Sequence, residues 1–218
     1  MHSVSLLALR NRVRAQTDTE NAQRPTDAQL TEMLNGSIRS LFAGLADGAS
    51  SLLLTSTTAT LTAGTTSVTL SAAVWQLHSV AVVLPDGTIR DLEPFQALER
   101  SSIVNGDLED GPWFYRLAGL STGSPTIELI PSRTTNVTVT YYYVPTPTAL
   151  SADGDLLYCL PGWDAWVTYD TTIQVLGAEE TDVSVWVGMR DQVWQREIIP
   201  ATRTRDSFKR KRVVRVRR

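Results

Sequence analysis

"LPGWDAWVTYDTTIQVLGAEETDVS", residues 160–184, is the stretch on which the fold of this chain turns. Pro161 suits a first helical turn, and Trp163, Trp166, Val167, Ile173 and Leu176 form a broad apolar face up to Gly177. A second helical stripe follows, made of Val183, Trp186, Val187, Val193, Trp194 and Ile198 ahead of Pro200. These helices matter because of what precedes them. Residues 51–150 carry almost no helical period, so the chain returns to helix after a long excursion.

Working outward, the first residues hold the matching helices. Between Ser5 and Gln16, Leu6, Leu9 and Val13 recur at helical spacing, with Arg10 and Arg14 on a neighbouring face. At Pro25-Thr26-Asp27-Ala28-Gln29, Thr26 is placed to cap a helix and Gln29 to close a capping box. The stripe beyond it is Leu30, Met33, Leu34, Ser37, Leu41 and Leu45, widened by Ile38 and Phe42, with Gly44 and Gly48 as end signals. Neither helix pair buries its stripe alone. The expected fold is therefore α+β: residues 1–50 and 151–200 join as a helical bundle, residues 51–150 form an inserted antiparallel β-sandwich or barrel-like domain, and residues 201–218 extend as an arm.

The insert is rich in Thr, Ser, Val and Gly, with period-two patches at Thr60-Leu61-Thr62 and Val68-Thr69-Leu70. A hairpin is marked where Val80-Ala81-Val82-Val83-Leu84 meets Pro85-Asp86-Gly87 and returns as Thr88-Ile89-Arg90-Asp91-Leu92. Further strands are expected at Trp113–Ala118, Thr126–Ile130 and Val137–Val144, with a helical turn at Pro94–Ser101. In Tyr141-Tyr142-Tyr143 neighbours face opposite sides of a sheet, so at least one ring meets solvent or another chain. A polar link, Ser151–Asp155, leads directly into the last helices.

Charge divides the chain more sharply than its net −3 conveys. Residues 203–218 hold nine basic side chains and one acid; residues 1–202 hold eleven arginines and twenty-two acids, which leaves the body near −11 and the arm near +8. Such asymmetry marks an interaction arm. In "KRVVRVRR", Val214 and Val216 face one side of an extended strand and Arg215 and Arg217 the other, a pattern suited to a sheet edge or an acidic groove. Arginine's planar fork pairs bidentately with carboxylates.

Little points to chemistry. The histidines are His2 and His78, and the alternation around "WQLHSVAV" makes His78 a strand residue. Asp107, Glu109 and Asp110 read as solvated turn residues, Ser151–Asp155 lacks the spacing of a calcium loop, and no phosphate loop occurs. Asn136-Val137-Thr138 spells a glycosylation acceptor. The single cysteine, Cys159, excludes an internal disulfide and a cysteine-based zinc site. The start, MHSVSLLALRNRVR, has no continuous apolar run, and nothing approaches the roughly 20 apolar residues of a bilayer span. No enzyme activity, cofactor, metal or membrane contact is expected, and the chain should be soluble inside the cell that makes it. Trp163, Trp166, Trp186 and Trp194 are core residues first and candidate subunit contacts second.

Three segments resemble a known family. "LRNRVRAQTDTENAQRPTDAQLTEMLNGSIRSLFAGL", residues 9–45, is similar to the opening of the head-to-tail adaptor (connector, or head completion) proteins of tailed double-stranded DNA bacteriophages: an Arg-rich helix, a Thr-Asp start, then Asn35, Ser37, Ile38 and Leu41. Residues 160–184 resemble the family's Pro-x-x-Trp-x-x-Tyr helix with its acidic break, and "PDGTIRDLEPF" resembles the β insert of larger members.

The resemblance implies a structural virion protein, made in the host cytoplasm and built into the head-tail interface. It implies a homo-oligomeric ring of about twelve copies that docks on the portal protein, extends the DNA channel with transient duplex contact, and receives a downstream tail or nozzle protein. The arm residues expected to hold the portal are Arg203, Arg205, Phe208, Lys209, Arg210, Lys211, Arg212, Val214, Arg215, Val216, Arg217 and Arg218. Two other readings stand beside it. One is a nucleic-acid-binding protein gripping phosphates with the arm; the other is a tail-associated β module binding a host ligand at Trp113, Phe114 and Tyr115.

Overall fold

A computed structural model of the chain describes residues 2–19, 25–47, 53–70, 74–84, 86–95, 113–119, 125–130 and 135–201. The chain separates into two compact units, Met1–Leu52 with Pro147–Arg218, and Leu53–Thr146.

The first unit holds four helices and a small sheet among its described residues. Helix α1 (Leu6–Thr17) starts at Ser5, whose side chain accepts a hydrogen bond from the Ala8 N–H at 3.3 Å, and stops at Asp18 in the left-handed region. Leu6, Leu9 and Val13 are its buried face. Helix α2 (Asp27–Asp47) opens with the expected capping box: the Gln29 N–H donates to Thr26 Oγ1 at 3.3 Å, and the Thr26 N–H donates to Gln29 Oε1 at 2.9 Å. Leu30, Leu34, Ile38, Leu41 and Leu45 are buried along it. Gly44 does not end this helix. It lies inside α2, where a Cβ would come within 2.8 Å of Trp194 Cη2, so the glycine makes room for an indole.

Helix α3 (Trp163–Ala178) follows Gly162, which has φ +87°. A Cβ there would stand 2.8 Å from Glu197 Oε2, so both backbone shape and close approach favour glycine. Helix α4 (Ser184–Val193) continues as a π-helical turn over Trp194–Ile198 and then as helix through Pro200 to Ala201. Pro200 therefore lies within the helix. A proline has no N–H for the carbonyl four residues back and crowds it; the wider turn just before it, closed by Ile199 N–H to Trp194 O, absorbs that misfit.

The small sheet was not expected. Strand β1 (His2–Ser5) pairs antiparallel with a strand over Leu156–Cys159, so the polar link does not lead directly into helix. The link itself is a turn: Asp155 accepts from the backbone N–H groups of Ser151 and Ala152 at 2.7 and 2.9 Å, and Asp153 pairs with Arg10. Asp155's carboxyl is held below the usual aspartate value by those N–H groups.

The second unit is two four-stranded sheets. One runs β2 (Thr55–Leu61), β9 (Val137–Pro145), β4 (Val74–Val83), β5 (Ile89–Asp91); the other runs β3 (Ser67–Thr69), β8 (Thr126–Ile130), β7 (Phe114–Ala118), β6 (Glu93–Pro94). The Leu156–Cys159 strand is β10. Neighbours are antiparallel except β6 and β7, which are parallel. Leu61, Val80, Val82, Val139 and Tyr141 from the first sheet share a core with Val68, Ile127 and Leu129 from the second. Neither sheet closes on itself, which corrects the barrel-like alternative in favour of a sandwich.

The β4–β5 hairpin stands where the Asp-Gly turn placed it, with Gly87 at φ +83° and Thr88 N–H bonded to Asp86 Oδ1 at 2.8 Å. Tyr141 and Tyr143 point inward while Tyr142 is 40% exposed, as period two requires. Pro94 belongs to a strand rather than to the expected helical turn, whose residues 96–101 lie outside the described set.

Candidate functional site

The four candidate tryptophans fall on α3, on α4 and on the π-helical continuation of α4, and each finds a ring within its own unit. Trp163 is buried edge-on against Phe42, with ring centroids 5.7 Å apart. Trp166, also buried, meets half-buried Trp194 at 5.9 Å; Trp186 is half-buried against Tyr169 at 5.9 Å. Their packing within the chain is thus explicit, and Trp186 and Trp194 keep part of their surface open.

Around Trp166 helices α2, α3 and α4 leave an open hollow of about 460 Å³, lined by Ser40, Gly44, Trp166, Asp170, Arg190 and Trp194 among others. Arg190 lies over the Trp166 ring at 5.9 Å and donates to Asp170 at 2.9 Å and Asp191 at 3.1 Å. Burial works against its charge, but those carboxylates outweigh it and raise its pKa. The guanidinium is fixed and permanently charged, a recognition element with nothing to hand over in proton transfer. Further along α4, Val185 and Met189 stand one turn apart, 62% and 42% exposed. Sequence reasoning passed over Arg190 because its partner Asp170 sits on another helix.

The second unit carries an aromatic hollow of about 520 Å³, lined by Trp75, Leu77, Phe95, Tyr115 and Leu117 among others, with Arg116 over the Phe95 ring at 5.8 Å. Of the residues considered for a host ligand, Tyr115 reaches this hollow, whereas Trp113 is buried in the sandwich core. Trp75, 42% exposed at a bulged stretch of β4, is the residue that sequence reasoning missed.

The other candidates stay apart. His78 is exposed on β4, Asn136 accepts a bond from the Ala63 N–H at 2.8 Å, and Asp107, Glu109 and Asp110 lie outside the described residues. So do the portal-binding candidates from Arg203 to Arg218; the last described residue, Ala201, is helical.

What the described residues assemble is open hollows, fixed ion pairs and exposed apolar side chains. The SU10 adaptor protein family matches residues 4–176, well over half of the chain, and this chain belongs to that family. The family makes it a phage adaptor and a structural component of a virion, and implies interaction with portal and tail proteins. No curated protein matches it. The family match ends within α3, so α4 with Trp186 and Trp194, and the basic arm, lie beyond the matched span. Among the described residues no helix is long and apolar enough to cross a membrane.

Proposed function

We propose that this chain forms a ring, of about twelve copies, that docks on the portal through residues 203–218, continues the DNA channel and presents a platform to the next tail component. The helical unit, residues 1–50 with 151–200, serves as the body of the ring and residues 51–150 as an appended β module. The observation that carries the reading is the adaptor-family match across residues 4–176, combined with a segment of about +8 attached to a body of about −11. Opposite charge on arm and body keeps the two functions separable: the arm suits an acidic groove on a partner, while an acidic wall repels a duplex that must slide past it.

The test is electron microscopy of purified portal mixed with the full-length chain and with a chain lacking residues 203–218. The expected result is a stoichiometric ring with the full chain and little docking without the arm. Undiminished docking by the truncated chain overturns the arm's role, and absence of any annular complex overturns the ring. Steep salt-dependent DNA binding that vanishes with the arm would support the nucleic-acid reading instead.

A further inference from the structure

His2, Cys159 and Asp164 arrive at one place from three elements. His2 and Cys159 are direct partners in the β1–β10 ladder, and Asp164 stands in the first turn of α3. One donor atom from each, an imidazole nitrogen, the thiol sulfur and a carboxylate oxygen, lie within 4.8 Å of one another. His2 Nε2 is 3.8 Å from Asp164 Oδ2. Tetrahedral zinc, with bonds of about 2.0–2.3 Å, holds its ligand atoms about 3.3–3.7 Å apart. Small side-chain rotations are enough to close this set.

Burial is graded across the three. Cys159 is 2% exposed, Asp164 is half-buried and His2 is open to solvent, so an ion enters from the His2 side and keeps water as a further ligand. Without a cation the thiol stays protonated: burial, then the Asp164 charge, pushes its pKa up to about 11, and its S–H donates to the His2 carbonyl at 3.6 Å. A bound divalent cation reverses that preference, because a coordinating thiol is deprotonated outright. Thiolate and carboxylate together neutralise the ion. Arg12, which donates to Asp164 Oδ2 at 2.8 Å, orients the carboxylate from outside, as partners of metal ligands commonly do.

We propose that His2, Cys159 and Asp164 bind one zinc-class divalent cation, which fastens the N-terminal strand to β10 and to the start of α3. The mixed sulfur, nitrogen and oxygen set suits zinc or cobalt and is too soft for magnesium or calcium. The lone cysteine that excludes a multi-cysteine zinc site still allows one thiolate in a mixed site. The ordinary alternative is an ion-free corner in which His2 lies beside Asp164, Arg12 bonds the carboxylate and the Cys159 thiol bonds the His2 carbonyl. The proposal concerns a single subunit and stands apart from the ring reading.

The test is a cobalt titration of the untagged full-length chain after chelator treatment and dialysis. One cobalt per chain is expected, with visible absorption of a four-coordinate site, a near-ultraviolet thiolate-to-cobalt band, displacement by zinc, and a zinc-dependent rise in melting temperature. Cys159→Ser should remove the thiolate band. Because Cys159 is buried and its replacement can disturb the fold, the exposed ligand gives the cleaner test: His2→Asn should keep the fold and weaken cobalt binding at least about tenfold, the scale set by losing even an outer partner. A titration without a thiolate band, or equal cobalt affinity in His2→Asn, overturns the site. An equal zinc shift in the parent chain and every variant marks adventitious surface binding and overturns it too.

Discussion

The helical unit and the β unit hold themselves together by different means. In the helical unit, side chains far apart in sequence close the structure. Asn35 bonds both backbone groups of Leu150, Ser37 donates to Asp170 at 2.8 Å, Thr172 donates to Gln16 at 2.7 Å, and Arg12 reaches Asp164 at 2.8 Å. In the β unit, backbone ladders and one apolar cluster do most of this, and several side-chain bonds stay within a turn, such as Thr88 N–H to Asp86 and Thr65 Oγ1 to the Thr62 carbonyl. The reason lies in the backbone. A helix satisfies its N–H and C=O groups internally, so helices meet only through side chains, and polar pairs must select one packing among several. A strand satisfies its backbone on its neighbour, so the ladder itself specifies the partner and register is left to the inward residues.

The largest expected effect tests whether the two units are separate in energy as well as in architecture. Leu34 and Ile127 are both fully buried, one in each unit. Truncating either to alanine should cost about 2–5 kcal/mol, combining lost transfer energy with the cavity left behind. In calorimetry with helical circular dichroism as a second probe, Leu34→Ala should lower the transition that carries the helical signal, and Ile127→Ala the other. If both variants move both transitions equally, the units melt as one and the contrast between them fails.

A smaller effect separates two asparagines. Asn35 is buried, donating to the Leu150 carbonyl at 2.9 Å and accepting from the Leu150 N–H at 2.8 Å, across 115 residues. Asn35→Ala leaves both backbone groups without partners and should cost about 2 kcal/mol. Asn136 makes a comparable bond to the Ala63 N–H at 2.8 Å, but at an exposed position where water replaces it. Asn136→Ala should cost under about 1 kcal/mol. Urea midpoints at constant slope would show the difference; equal losses would remove the special standing given to long-range polar pairs in the helical unit.

The same contrast explains how much of the molecule could be read in the sequence. The Thr26–Gln29 box and the stripe from Leu30 to Leu45 are local and periodic, and the structure places them as expected. Strands β7, β8 and β9 were legible for the same reason. Strands β1 and β10, four residues each, are too short to show a period, and only their pairing across the chain makes them strands. Gly44 misled because a glycine that admits a ring looks, in sequence, like one that ends a helix. The π-helical turn before Pro200 has no pattern of its own. At the candidate site, the tryptophans were found by spacing, but Arg190, Asp170 and Trp75 become notable only through neighbours that the fold supplies. The arm was noticed through charge, a signal that speaks of partners and not of fold.

Acid should distinguish the units by the least amount but with a definite sign. Asp27, in the first turn of α2, accepts from Arg14 at 2.9 Å and lies 3.4 Å from Arg10, so it ties α2 to α1. Chiefly the Arg14 bond, with help from the charges of Arg10 and Arg14, holds its carboxyl below the ordinary aspartate value. A carboxyl depressed in the folded state contributes stability that is fully present above its unfolded value, near about pH 3.9, and is lost as pH falls through the folded value. Asp86 is also depressed, foremost by the Thr88 N–H, but within its own turn. Asp27→Asn should therefore lower the helical transition slightly at pH 6, and the gap to the parent chain should close as pH falls through the folded value of Asp27. Asp27 is exposed, so salt should shrink the gap as well. Asp86→Asn keeps an oxygen for the Thr88 N–H and should respond less to salt. A gap in the Asp27 pair that widens on acidification, or that ignores salt, would mean the carboxylate holds α2 by something other than its arginines.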